Sequence, residues 1–142
     1  MDLVWYAPYM QGILYTISGN VIRGIGYGKR LGFPTANLDR EEYQRQNLAI
    51  PPSVYAGTAT IIPFSPLSPI SYKAAIIIGP LNEASLPKIE AYLLDFSGDL
   101  YGKKLRLELR TFLRPFMQFE DEEKLKEQIR KDIEAVEQTI TI

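Results

Sequence analysis

The chain contains neither cysteine nor histidine. The first absence excludes disulfides, thiolate nucleophiles and cysteine-bound metals; the second removes the commonest general base and zinc ligand. Any catalysis must therefore use carboxylates, lysine, tyrosine, hydroxyls or a hard cation. Apolar runs approaching the ~20 residues that span a bilayer are also missing. The opening Met1–Pro8 carries an acid, Asp2, where a secretory leader would be basic. A cytoplasmic protein without membrane attachment is expected. Excess charge of one sign is lacking too: the formal net charge is −1, and residues 121–142 hold seven acids against four bases. Nucleic-acid binding rests on many cations facing phosphates, so this balance argues for small-molecule ligands instead. With 142 residues and 46% apolar content, the chain suits one packed domain, 1–142, and a monomer is expected.

What is present is concentrated in one stretch, Gly28-Lys29-Arg30-Leu31-Gly32-Phe33-Pro34-Thr35-Ala36-Asn37-Leu38, preceded by Gly24 and Gly26. Two glycines, two cations, a proline, a hydroxyl and an amide suit neither a regular helix nor a regular strand. Residues 28–52 are taken as one long loop, with room for a short exposed helical turn between Asp39 and Gln46 before Pro51-Pro52 forbids extension. Loops of such length are usually functional.

Around this loop the chain alternates. Residues 12–23 predict a strand with Ile13, Tyr15 and Ile17 on one face, interrupted near Gly19. Val54–Ile62 is rich in β-branched residues and is followed by Pro63, Pro66 and Pro69; Tyr72–Ile78 ends at Gly79-Pro80. Lys88–Phe96 alternates with Ile89, Ala91 and Leu93 on one face, although a helix competes there. Leu105–Arg110 places three leucines inward and charges outward, the pattern of an antiparallel sheet. Leu125, Ile129, Ile133 and Val136 recur at helical spacing over about Asp121 to Glu137, with acids in the first turn. The sum is an all-β-dominated fold: a small antiparallel barrel of five or six strands with a C-terminal helix.

Candidate chemistry rests on few residues. Gly24, Gly26 and Gly28 fit neither a dinucleotide fingerprint nor a Walker loop; they make a flexible hairpin tip or a flap over phosphate, with Lys29 or Arg30 reaching a negative group. In Pro34-Thr35-Ala36-Asn37, an extended backbone puts the Thr35 hydroxyl and the Asn37 amide on one side. Together they form an ordinary turn or a pair of neutral oxygens for a hard cation such as Mg²⁺, completed by nucleotide phosphates and water. Glu90, a carboxylate within an apolar segment, either faces solvent or Lys88, or serves as a general base. Asp95 and Asp99 flank Gly98 as turn residues, and Arg114 is a surface arginine or a ligand contact. Phe112, Phe116 and Phe119 are expected in the core unless one lines a pocket for a flat ring.

The Gly28–Leu38 stretch resembles the signature of the riboflavin kinase family, and further stretches resemble that family in order and spacing. They are Val54-Tyr55-Ala56, Ile78-Gly79, Ile89-Glu90 with Leu93-Leu94-Asp95-Phe96, Asp99-Leu100-Tyr101-Gly102, and Leu113-Arg114 through Phe119 with Leu125, Ile129 and Asp132 behind. The resemblance implies a six-stranded antiparallel Greek-key barrel with a C-terminal helix. It further implies ATP-dependent phosphorylation of the riboflavin 5′-hydroxyl to FMN. Thr35 and Asn37 would contact Mg²⁺ and nucleotide phosphate. Glu90 would be the catalytic base. Gly24, Gly26, Gly28, Lys29 and Pro34 would belong to the nucleotide flap, and Asp99, Tyr101, Gly102 and Arg114 would help enclose the flavin. In many bacteria such a domain is joined to an adenylyltransferase domain, for which this chain has no room. Departures from the family pattern are Ser53 for glycine, Lys29 for arginine, Tyr92 for histidine and Pro80-Leu81-Asn82 for proline-threonine-phenylalanine. They leave a non-catalytic flavin- or nucleotide-binding module as the alternative.

Overall fold

The structure, a computed structural model, describes residues 12–24, 26–62 and 70–142. Its elements are β1 (Tyr15–Ile22), α1 (Tyr27–Arg30), β2 (Ala36–Leu38), α2 (Arg40–Gln44), β3 (Ser53–Ile62), β4 (Ile70–Leu81), β5 (Pro87–Leu93), β6 (Lys104–Pro115) and α3 (Glu122–Thr139). The six strands close into an antiparallel barrel in the order β1-β2-β5-β4-β3-β6. The expected fold is the observed one.

Side-chain alternation explains the closure. Ile17 and Val21 of β1, Ala36 and Leu38 of β2, and Ile89, Ala91 and Leu93 of β5 point into one core with Leu105, Leu107 and Leu109 of β6. Every second residue of these strands therefore faces outward. Closing the sheet on itself buries that inner face. Tyr43, Ile50 and Leu100 extend the same core from connecting segments, and the Ile50 N–H donates to the Tyr43 hydroxyl at 3.2 Å.

A second apolar cluster lies on the outer wall. Ala56 of β3, Ala75 of β4 and Leu94, just past β5, pack with Val136 and Ile140, with Ile133, Leu113 and Tyr92 against them. α3 docks there through part of the stripe expected from its sequence. The Asp121 side chain caps the helix by accepting from the Glu123 N–H at 2.8 Å.

Several boundaries differ from the sequence reading. The long loop 28–52 contains β2 and α2, and α1 overlaps its start. Three residues are too few to display a strand period, and β2 is a strand because β1 and β5 pair with it on both sides. β1 passes through Gly19 without interruption because Leu38 packs against that position, 3.4 Å from where a Cβ would stand. Lys88 to Leu93 is strand, not helix, held between β2 and β4. β6 runs to Pro115, its pairing with β3 continued through two register shifts. Phe112 is no core residue: it is 51% exposed, with its ring edge-to-face against Tyr55 at 5.7 Å. Phe112 lies past the inward series Leu105, Leu107 and Leu109, and the period of two that they set does not include its position. Readings made on Met1–Pro8 and on Pro63, Pro66 and Pro69 fall outside the described residues.

Gly57 marks a close approach of β3 to β6: a Cβ there would run into the backbone carbonyl of Glu108 and stand 3.2 Å from Ile76. Gly57→Ala should therefore destabilise the protein by at least the ~1–3 kcal/mol typical of overpacking. Urea unfolding of purified protein reads this as a lower midpoint at unchanged slope.

Candidate functional site

The site is assembled by the pairing of β2 with β5. Ala36 lies opposite Ala91, and Asn37 opposite Glu90. Because Ala36, Leu38, Ile89 and Ala91 point inward, Asn37 and Glu90 project from the outer wall, and Thr35, one step before β2, joins them. The Thr35 hydroxyl donates to Glu90 Oε2 at 2.8 Å across 55 residues of sequence. Glu90 Oε1 lies 3.4 Å from Lys88 Nζ, and the glutamate side chain stays 23% exposed. Its two oxygens thus have separate partners, while solvent or a ligand can still approach the carboxylate. The expected pairing of Glu90 with Lys88 is present, and the carboxylate also accepts from Thr35.

The glycine stretch folds over this group. A Cβ on Gly24 would collide with the Asn37 side-chain amide, and one on Gly28 would stand 3.6 Å from Thr35 Oγ1. At Gly28 it is the Phe33 backbone carbonyl, 2.5 Å from where a Cβ would stand, that requires glycine, whereas Gly24 lies directly against the Asn37 amide. The segment is folded: Phe33 N–H donates to the Gly28 carbonyl at 2.7 Å and Arg30 N–H to that of Gly26 at 3.1 Å. Gly26, at φ +74°, has open space where a Cβ would be. Lys29 is exposed on the last turn of α1, and Pro34, also exposed, leads the chain into Thr35. Phe33 packs edge-on against Tyr92 with ring centroids 6.1 Å apart, and Tyr92 in turn packs on the α3 cluster. Tyr92, one of the departures from the resembled pattern, therefore links the glycine segment to the helix. Ser53, another departure, is buried, and its hydroxyl donates to the Pro51 carbonyl at 2.6 Å.

The segment Asp99–Gly102 lies beside the root of the glycine segment. Asp99 Oδ1 accepts from the Tyr101 N–H at 2.8 Å, a side-chain-closed turn. The Gly102 N–H donates to the Val21 carbonyl at 3.0 Å with φ +79°, and the Arg23 guanidinium sits over the Tyr101 ring, 4.2 Å from its centroid. Arg23 was not among the residues singled out from sequence, although its place immediately before the glycines was the available signal.

Arg114 does not join this group. It lies at the far end of β6 from Asp99–Gly102, where its Nη2 meets Asp132 Oδ2 at 2.8 Å and its Nε meets Oδ1 at 3.0 Å. Gln128 Nε2 also donates to Asp132 Oδ1, at 3.0 Å. Asp132 is the buried charge of α3, and the bidentate pair ties the helix to the barrel. The in-plane donors of Arg114 are thus directed to a carboxylate of α3.

Among the described residues no group of three or more acidic side chains can hold a metal. A cation here would depend on neutral protein oxygens and on the charge of its own ligand. Thr35 Oγ1 fits that chemistry: its proton is directed to Glu90, which leaves its lone pairs for a hard cation, and the Asn37 amide is its neighbour on the same wall. No helix among the described residues is long and apolar enough to cross a membrane.

Residues 11–140 match the flavokinase family model, described as riboflavin kinase. The chain is 35% identical over 130 residues to a bifunctional riboflavin kinase/FMN phosphatase of Arabidopsis thaliana, covering 89% of this chain and 33% of that protein. It is 33% identical over 120 residues to an RNA-binding riboflavin kinase of Bacillus subtilis (strain 168), covering 84% of this chain and 49% of that one. The chain thus spans about half or less of the length of these curated relatives. Among solved structures, riboflavin kinase from Trypanosoma brucei superposes with a TM-score of 0.63 at 24% identity, covering 87% of this chain and 74% of the other. A structure titled macrolide-efflux protein from Streptococcus pneumoniae gives 0.72 at 23% identity, covering 89% of this chain and 39% of that one. At such identities these likenesses concern the fold.

Arg114→Leu would leave Asp132 buried without its partner, which costs about 3–5 kcal/mol. Thermal and urea unfolding should show that loss. An Arg114→Leu protein with unchanged stability but weakened flavin binding would instead make the arginine a ligand contact.

Proposed function

Given that the chain belongs to the riboflavin kinase family, we propose that it phosphorylates riboflavin at the ribityl 5′-hydroxyl with ATP, giving FMN and ADP. The observation that carries this reading is the contact between Thr35 and Glu90 beneath the glycine segment. It joins a carboxylate able to take a proton to a neutral oxygen able to serve a cation and phosphates. Phosphoryl transfer asks little covalent chemistry of a protein and depends on positioning and electrostatics. That matches a chain with neither cysteine nor histidine.

In the proposed reaction Glu90 accepts the proton of the 5′-hydroxyl. The hydroxyl oxygen forms a bond to the γ-phosphorus while the bond from that phosphorus to the β–γ bridging oxygen breaks, releasing ADP. Thr35 and Asn37 hold Mg²⁺, which when bound neutralises phosphate charge. Gly24, Gly26 and Gly28 bring backbone close to the phosphates, Pro34 sets the extended entry to Thr35, and exposed Lys29 faces the nucleotide's negative charge. Asp99, Tyr101 and Gly102 border the flavin. Neighbouring placement of this segment and the glycine segment at the end of β1 supports the assignment, because both substrates must meet at Glu90.

Incubation with riboflavin, Mg²⁺ and ATP, followed by chromatography, should yield FMN. Riboflavin binding with no FMN would identify a non-catalytic binding module. Glu90→Gln should lower kcat by about 10²- to 10⁴-fold, the usual range for a general base, while the melting temperature stays near that of the parent. Full turnover by this variant would remove Glu90 from the role. Thr35→Val keeps the shape of the side chain but deletes its oxygen. Calorimetry should find Mg²⁺-dependent nucleotide binding weakened at least about tenfold, the equivalent of one charge-assisted contact of ~1.5 kcal/mol.

A further inference from the structure

Building on the phosphoryl-transfer reading above, we propose that Lys88 is a positioning residue of this site. Its ammonium holds the second oxygen of Glu90, so the carboxylate meets the acceptor hydroxyl in one fixed orientation. Two observations carry the assignment. The first is the division of labour at the carboxylate: Oε2 accepts from Thr35 at 2.8 Å, while Oε1 faces Lys88 Nζ at 3.4 Å. A carboxylate anchored through one oxygen alone can swing about its terminal torsion, which has only broad, shallow preferences. Anchored through both, its plane is defined.

The second observation concerns how the lysine is presented. Lys88 and Glu90 stand two residues apart on β5 and share the outer wall. Opposite Lys88 the β4–β5 pairing shifts register between Ile78 and Leu81. Gly79 sits within that irregularity, and a Cβ there would lie 3.3 Å from Lys88 Cβ and 3.4 Å from its carbonyl oxygen. A bulge of this kind re-aims a side chain, and a glycine within it lets the partner strand approach closely. The local backbone is thus shaped around the lysine. An ordinary exposed ion pair contributes little to stability, so the consequence of this one is sought in turnover. Misplacing a reacting group by about 1 Å can cost on the order of 100-fold in rate.

Lys88→Met, Lys88→Arg and Gly79→Ala, each made in the intact chain, test the proposal. Steady-state FMN formation and thermal melting are measured for all three and for the parent. Lys88→Met should reduce kcat about 10- to 100-fold, with KM for riboflavin and for MgATP within about threefold of the parent. Lys88→Arg, which keeps the charge, should restore most of kcat. Gly79→Ala, which displaces the lysine stem without removing its charge, should fall between them. A Lys88→Met kcat within twofold of the parent overturns the proposal. So does a Lys88→Arg protein as slow as Lys88→Met with an equally lowered melting temperature, the mark of a purely structural role. Should Lys88→Met fail to fold, an unchanged kcat in Gly79→Ala overturns it instead. A parent protein that makes no FMN defeats the phosphoryl-transfer reading itself, and the Lys88 role with it; an active parent with an indifferent Lys88 defeats the lysine role alone.

Discussion

The pairing of the three-residue β2 with β5 is the contact on which the rest of the molecule depends. It closes the barrel between β1 and β5, and it sets Asn37 opposite Glu90. A slip of one residue would turn Thr35 and Asn37 into the core and expose Ala36 and Leu38, because the side-chain period of a strand is two. Burial of Ala36 and Leu38 in the barrel core prevents that slip. The same apolar contacts that stabilise the barrel therefore hold the polar group in register on its outer wall.

Placing chemistry outside the barrel follows from its size. Eight strands give an interior that side chains can just fill or that holds one small ligand, and here six strands pack isoleucines, leucines and alanines throughout. Ligands are left with the wall, and different sectors of it take different duties. α3 covers the sector around Ala56 and Ala75 and is tied down by Arg114 and Asp132. The sector around Asn37 and Glu90 lies beneath the glycine segment. Tyr92 stands between the two sectors, touching Phe33 on one side and the helix cluster on the other.

Legibility in the sequence followed the length of each periodic signal. Leu105, Leu107 and Leu109 announce a half-buried strand, and Leu125 through Val136 a helix, because their spacing repeats several times. β2 has no such repeat, and its polar neighbours concealed it within a loop. Phe112 misled because an aromatic residue close to an inward leucine series is normally core, whereas the period of two set by Leu105, Leu107 and Leu109 does not include position 112. Arg114 carried no sign of its partner, since Asp132 lies 18 residues away on another element.

Residue types and order alone determined the class of fold, the absence of thiol and imidazole chemistry, and the shortlist of Thr35, Asn37 and Glu90. Those properties are local: they depend on composition, on periods of two and 3.6, and on short spacings. Which shortlisted groups touch was decided only by tertiary structure. Closure of the barrel brought Thr35 to Glu90, laid Gly24 on Asn37, set Asp99–Gly102 beside Arg23 and directed Arg114 to the helix. Each of these contacts joins residues distant along the chain, and their proximity is a consequence of strand register and bulges, which no short window of sequence specifies.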